Sequence, residues 1–445
     1  MTNKTPSRLF RPFSSAALVA LAFSAVSLPA QNSTKNDDRL WRPAPDDVSL
    51  FVQSPAKNDT KPPAVFGCDP AALESLRAAV AAKDPAIKPA FDALIQAADK
   101  VLPMKPVSVM DKKVVADSGD KHDYFSLAPY WWPDPAKPDG LPYIRHDGKR
   151  NPESRRENDA DVFPGVCNNI ERLGLAYYLT GNEAYAAKAA QLATVWFLDP
   201  ATRMNPNLNY AQAVRGHNNG RGIGLIESRH LCALTDGLAL IAGSTAWPAA
   251  SRDAMRAWLD SYYKWLVTSK NGTDESGEKN NHGSWYAVQA AHLELVLGKT
   301  DAARQRIESK LPAFIASQIM PDGSQPLELA RTKSLNYSLF NLEALFALAQ
   351  LGDRAGYTKG WTYATSDGRS LRAALAFVAP YLDTSKKWIK DDIETTSRGR
   401  ILPLLCEYLA HQDDAEFAAL YKKFAHAPSP QTERWILILE GVAEK

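Results

Sequence analysis

A chain of 445 residues, 45% hydrophobic and containing 11 Trp, can bury a large core. Its 52 basic and 50 acidic residues leave no global excess with which to hold a nucleic acid or a membrane surface, so an anionic partner needs a local basic cleft. Four scattered cysteines, Cys68, Cys167, Cys232 and Cys406, are expected as buried free thiols. With no His-Glu-x-x-His, Cys-x-x-Cys or EF-hand pattern, no metal or cofactor is expected.

The first 30 residues read as a secretory signal peptide. Lys4, Arg8 and Arg11 precede an apolar run from Ala16 to Ala25, and Pro29-Ala30 offers a small-residue cleavage site. The run is too short to span a bilayer, as is every later one. An exported, periplasmic protein is therefore expected. Removing those three bases from the 52 leaves 49 against 50 acids. Residues 31–65 form a polar, Pro- and Asp-rich arm, and one domain should occupy 66–445.

From Asp69 the pattern turns helical, with Asp69 as N-cap, Pro70 at the first helical position and apolar residues recurring at three and four through Leu102. Residues 103–164 then lack periodicity, and a loop so long in a compact domain is usually functional. Tyr130-Trp131-Trp132 in it is either a sugar-binding platform or a plug onto the helices. Arg145, His146, Lys149, Arg150, Arg155 and Arg156 make a local basic cluster, read equally as a solvated loop or a polyanion-binding rim.

After Val166 helical hairpins recur at roughly 50-residue spacing. Turns are expected at Leu179–Ala186, Leu297–Ala302, Leu351–Asp353 and His411–Phe417. The fold class is all-α: a solenoid or an (α/α) toroid of helix pairs, incomplete or closed. The polar, Gly-rich Arg215–Gly222 segment reads as a loop before a helix from Ile223. His217, Asn218 and Arg221 are candidates for an anionic subsite, whereas Glu227 and Arg229 read equally well as a structural pair.

Two segments carry the chemistry. Asn280-Asn281-His282-Gly283-Ser284-Trp285 and Glu328 to Tyr337 together offer an amide, an imidazole, a guanidinium and a phenol. Asn and Arg stabilise a carboxylate as charge builds on it, and His and Tyr move protons. The bland readings are that Asn280 and Asn281 merely cap a helix and that Arg331 pairs with Glu328. Arg331 and Tyr337 are six apart, which is not a same-face spacing, so a break between them with Tyr337 near a helix start is expected.

The Asn-Asn-His block, the Glu-Leu-x-Arg…Tyr block and the turn at Tyr177–Asn182 resemble the alginate lyase family of (α/α) toroid polysaccharide lyases. Pro129-Tyr-Trp-Trp-Pro-Asp-Pro135, with Asn336-Tyr337 in place of a longer basic segment, is more similar to the polysaccharide lyase family 38 branch of alginate and glucuronan lyases. The resemblance covers about residues 66–410. It implies β-elimination on an anionic polysaccharide, without a cofactor. Asn281 would neutralise the uronate carboxylate with Arg331, His282 would lie beside the sugar, and Tyr337 would remove and return protons. Tyr130, Trp131, Trp132, His217, Asn218, Arg221 and Trp285 would contact substrate. A phenol has an ordinary pKa of about 10, which a nearby cation such as Arg331 lowers. Two other readings stay open: a toroid hydrolase or epimerase using Asp236, Glu227 or Glu328, and a non-catalytic glycan-binding protein.

Overall fold

The computed structural model describes residues 63–155 and 159–424. The expected signal peptide, nearly all of the polar arm and Arg156 lie outside the described residues.

Two N-terminal helices, α1 (Pro70–Ala81) and α2 (Lys88–Asp99), precede the irregular stretch. Asp69 caps α1 by accepting from the Ala71 amide, with Pro70 at the first position as expected. The loop that follows is ordered by four short strands: β1 (Phe125–Leu127), β2 (Trp131–Trp132), β3 (Ile144–Arg145) and, after two helices, β4 (Tyr210–Ala213). Strand β1 pairs parallel with β4, and β2 pairs antiparallel with β3.

The helices from α3 onward pack as pairs. They are α3 (Phe163–Thr180), α4 (Glu183–Ala193), α5 (Leu231–Leu240), α6 (Ala249–Thr268), α7 (Lys270–Ser276), α8 (Asn281–Val296), α9 (Thr300–Gln318), α10 (Pro326–Leu329), α11 (Ser334–Ala355), α12 (Leu371–Val378), α13 (Ile401–His411) and α14 (Ala415–Phe424). Helices α3, α5, α8 and α11 lie next to one another in turn and are lined by α4, α6, α9 and α12, which makes the domain an (α/α) toroid. Burial follows position: α8 is buried on every side except at His282, as an inner helix must be. Helices α3 and α5 cross glycine to glycine. A Cβ on Gly174 would meet the carbonyl of Gly237, and one on Gly237 would come within 2.6 Å of the Glu171 Cα.

Three of the four expected turns fall where the sequence puts them. Gly181 ends α3 at φ 69°, Leu297–Lys299 joins α8 to α9, and Gln412–Asp414 joins α13 to α14. The fourth does not: α11 runs straight through Leu351–Asp353 and stops at Gly356, φ 82°. Gly352 is there for packing, since a Cβ would sit 2.8 Å from the Tyr357 carbonyl. The helix expected from Ile223 begins as a 3-10 segment, Gly222–His230, and becomes α-helical only at Leu231. All four cysteines are buried, and none is in a disulfide. No helix among the described residues is long and apolar enough to cross a membrane.

Candidate active site

The site forms where α8 begins, where α10 breaks into α11, and where the long loop folds over both. Asn280 caps α8 by accepting from the His282 amide at 3.1 Å. Asn281 is buried and ties the helix start to α10: its backbone N–H and its Nδ2 donate to the two carboxylate oxygens of Glu328 at 2.7 and 2.8 Å. Burial raises the Glu328 carboxyl, against the pull of Asn281, Arg331 and His282. An amide nitrogen carries two hydrogens, so one remains on Asn281 for a ligand. His282 Nδ1 lies 2.8 Å from Glu275 Oε1.

Helix α10 is one turn long, and the chain breaks before α11, which places Tyr337 in the first turn of α11 as its spacing from Arg331 requires. Asp392 holds that start by accepting from the Ser334 and Leu335 amides at 2.8 and 2.9 Å. The bland alternative, an Arg331–Glu328 pair, does not form, and Glu328 accepts from Asn281. Arg331 instead binds Asp147 of the loop through two hydrogen bonds, at 3.0 and 2.9 Å. Asp147 also accepts from Thr332. The guanidinium carbon lies 3.7 Å from the centroid of the Tyr337 ring.

The phenol oxygens of Tyr337 and Tyr130 are 2.9 Å apart. Sequence reasoning expects Arg331 to lower the Tyr337 pKa, and it does act in that direction, but the net shift is upward. Burial raises it, Tyr130 adds to the rise, and Arg331 only partly opposes them. At rest Tyr337 is a neutral phenol.

Tyr130, Trp131 and Trp132 are half-buried. The Trp131 ring lies 5.0 Å from the His217 ring and 5.9 Å from the Arg221 guanidinium. His217 is exposed with Nε2 2.9 Å from the Tyr143 carbonyl, and Asn218 is exposed and bridges to Val214. Arg221 is turned to the protein, donating to the backbone and side-chain oxygens of Gln212 at 3.1 and 3.0 Å. Trp285 is a core residue: it is buried, donates to the Phe340 carbonyl at 3.0 Å and packs on the Phe340 ring. Its nearness in sequence to His282 is misleading, because the interior of the toroid surrounds α8.

The basic loop is laced by acids: Arg145 pairs with Asp147, Arg150 with Asp161 and Arg215 with Glu153. The carboxylates a hydrolase would use are engaged too. Asp236 accepts from the Phe66 and Gly67 amides, and Glu227 from Tyr124 and Ser126. No group of His, Cys, Asp and Glu among the described residues is arranged to hold a metal. Sequence reasoning misses Asp147 and Glu275. Asp147-Gly148 reads only as a turn signal 184 positions from Arg331, and Glu275, seven residues before His282, meets it only through the break between α7 and α8.

Fold and site together define a helical-toroid polysaccharide lyase. The alginate lyase family profile matches residues 108–388. An alginate lyase from Bacteroides ovatus is 38% identical over 83% of this chain and 97% of its own, with a TM-score of 0.78. Alginate lyase A1-III from Sphingomonas species A1 is 17% identical over 82% of this chain and 94% of its own, with a TM-score of 0.46, too distant to inform the site. No curated protein matches the chain. The chain belongs to the alginate lyase family.

Proposed function

We propose that this lyase is exported and cleaves a polyuronate, alginate or glucuronan, by β-elimination, with Tyr337 as the proton-transferring phenol. One observation carries the reading. The Tyr337 hydroxyl is held by Tyr130 at 2.9 Å while Arg331 lies against its ring. The two partners pull in opposite directions: Arg331 favours the ionised phenol by its charge, while Tyr130 and burial hold the proton on it until substrate arrives. The short Asn336-Tyr337 segment and the Pro129–Pro135 motif favour the family 38 branch.

The substrate carboxylate meets Arg331 and the remaining amide hydrogen of Asn281, which lowers the cost of taking H5. Where H5 and O4 lie on the same face, as in mannuronate and glucuronate, Tyr337 first gives its proton to solvent as substrate binds, and the phenolate then takes H5 and returns that proton to O4. Where they lie on opposite faces, as in guluronate, His282 takes H5 and Tyr337, neutral at rest, delivers its proton to O4. The electron pair of the C5–H bond becomes the C4–C5 double bond as the C4–O bond breaks. Trp131, Trp132, His217 and Asn218 are proposed as sugar contacts. Arg221 supports Trp131 from behind, and Trp285 leaves the set.

A panel of mannuronan, guluronan and glucuronan, with absorbance of the unsaturated end and product masses, tests this. New reducing ends without unsaturation would mean hydrolysis, and binding without turnover would mean a glycan-binding protein.

A further inference from the structure

His282 is the one residue of α8 that is not buried, and its ring is fixed from behind. The carboxylate that holds Nδ1 belongs to Glu275, whose side chain is 0% exposed. Glu275 lies in the last turn of α7, and the break between α7 and α8 lets two residues seven apart face each other.

Glu275 does not look like a structural carboxylate. Its second oxygen, Oε2, is buried with no hydrogen-bond partner. Glu328, by contrast, accepts on both oxygens, as does Asp236. A buried carboxylate satisfied on one side only costs stability that an apolar residue or a glutamine would not. What that cost maintains is the contact with His282.

The contact has a chemical consequence. An ionised carboxylate only accepts, so Nδ1 carries the proton and the imidazole lone pair sits on Nε2, the nitrogen turned away from Glu275. We infer that Glu275 is a positioning residue of the elimination, setting the tautomer of His282 and stabilising the imidazolium that forms when Nε2 takes H5. The inference rests on the polyuronate lyase reading. The proton passes from C5 to Nε2 and later to solvent, the C4–O bond breaks, and Tyr337 protonates O4. Other charges face the pair. Burial, helped by Glu278, raises the Glu275 carboxyl against the pull of His282 and Arg221, and Glu328 and Arg331 lie on the α10 side.

The test is a double-mutant cycle of Glu275→Gln and His282→Ala, assayed on guluronan and mannuronan, with Tyr337→Phe as reference. Glu275→Gln should lower kcat about 10–100-fold on guluronan with KM nearly unchanged. It should also move the acid limb of kcat/KM to lower pH, because a lost negative charge makes the imidazole easier to deprotonate. In the His282→Ala background Glu275→Gln should cost nothing further. Glu275→Asp, which keeps the charge, should return the limb toward its wild-type position. If the Gln variant does not fold, the Asp variant decides alone: a limb that moves to lower pH although the charge is kept overturns the inference, and an unmoved limb supports it. Losses that multiply in the double variant, or a Gln variant with wild-type kcat, also overturn it. Should Tyr337→Phe keep its turnover, the lyase reading itself fails. With Tyr337→Phe dead and Glu275→Gln silent, only the role of Glu275 is lost.

Discussion

The candidate site has two unlike walls. The helical wall, made by the starts of α8 and α11, is tied by hydrogen bonds among buried polar groups, although Asn281 Oδ1, Gln318 Nε2 and Asn341 Oδ1 keep no partner. Asn341 donates to Gln318 and Gln325, Gln325 to the Ser338 carbonyl, and Ser284 to Gln318. The loop wall has strands of two and three residues, half-buried aromatics, and few ties to the helices at the site: Asp147 to Arg331 and Thr332, and Tyr130 to Tyr337. Buried hydrogen bonds in a packed core open less readily than half-exposed loop contacts. The helical wall therefore sets where protons go, and the loop wall tunes the groups that move them.

Damage to the two walls should look different. Arg331 belongs to both, so Arg331→Ala should damage both walls at once. It removes the carboxylate partner and frees Asp147, and kcat/KM should fall on the order of 10³-fold. A fall confined to KM would mean that Arg331 only binds.

Gly174→Ala lies in the helical scaffold away from the candidate site. Its methyl would press on the Gly237 carbonyl and separate α3 from α5, at a cost of about 1–3 kcal/mol. Thermal unfolding should show that loss, while kcat per folded molecule stays the same. Tyr130→Phe is the converse experiment. It keeps the ring but removes the partner of Tyr337, so kcat should drop about tenfold with Tm unchanged. Equal losses of stability in both variants would erase the distinction between the walls.

The smallest effect belongs to Asp147→Asn. Arg331 and the Thr332 amide hold the Asp147 carboxyl at about 2, below its ordinary 3.8. A depressed value means the stabilisation is complete above pH 3.8 and is lost as pH falls through about 2. The pair is partly solvated, so the loss at neutral pH should be at most about 1 kcal/mol, or about 1–2 °C in Tm. Wild type and variant should converge in acid. A gap that widens as pH falls would contradict the pairing.

The helical wall was largely legible in the sequence. Asn280 reads as a cap, and the six-residue spacing of Arg331 and Tyr337 requires the break that the structure has. Local rules reach local geometry. The proton balance was not legible, because it depends on partners far along the chain. The counter-ion of Arg331 lies 184 positions earlier and the hydroxyl beside Tyr337 lies 207 positions earlier. A cation near a phenol is visible in the motif, but its burial and its neutralisation are not. Trp285 was misjudged for a related reason: a helix enclosed on all sides has no polar face to warn that its aromatic residue points inward.

The central claim is that the Tyr337 hydroxyl carries the transferred proton. Tyr337→Phe deletes that one oxygen and leaves the ring under Arg331. Turnover should be followed by the unsaturated uronate end, and binding measured separately on the same oligosaccharide. The account predicts a fall in kcat of at least about 10³-fold with Kd nearly unchanged. Turnover near that of the wild type would contradict it.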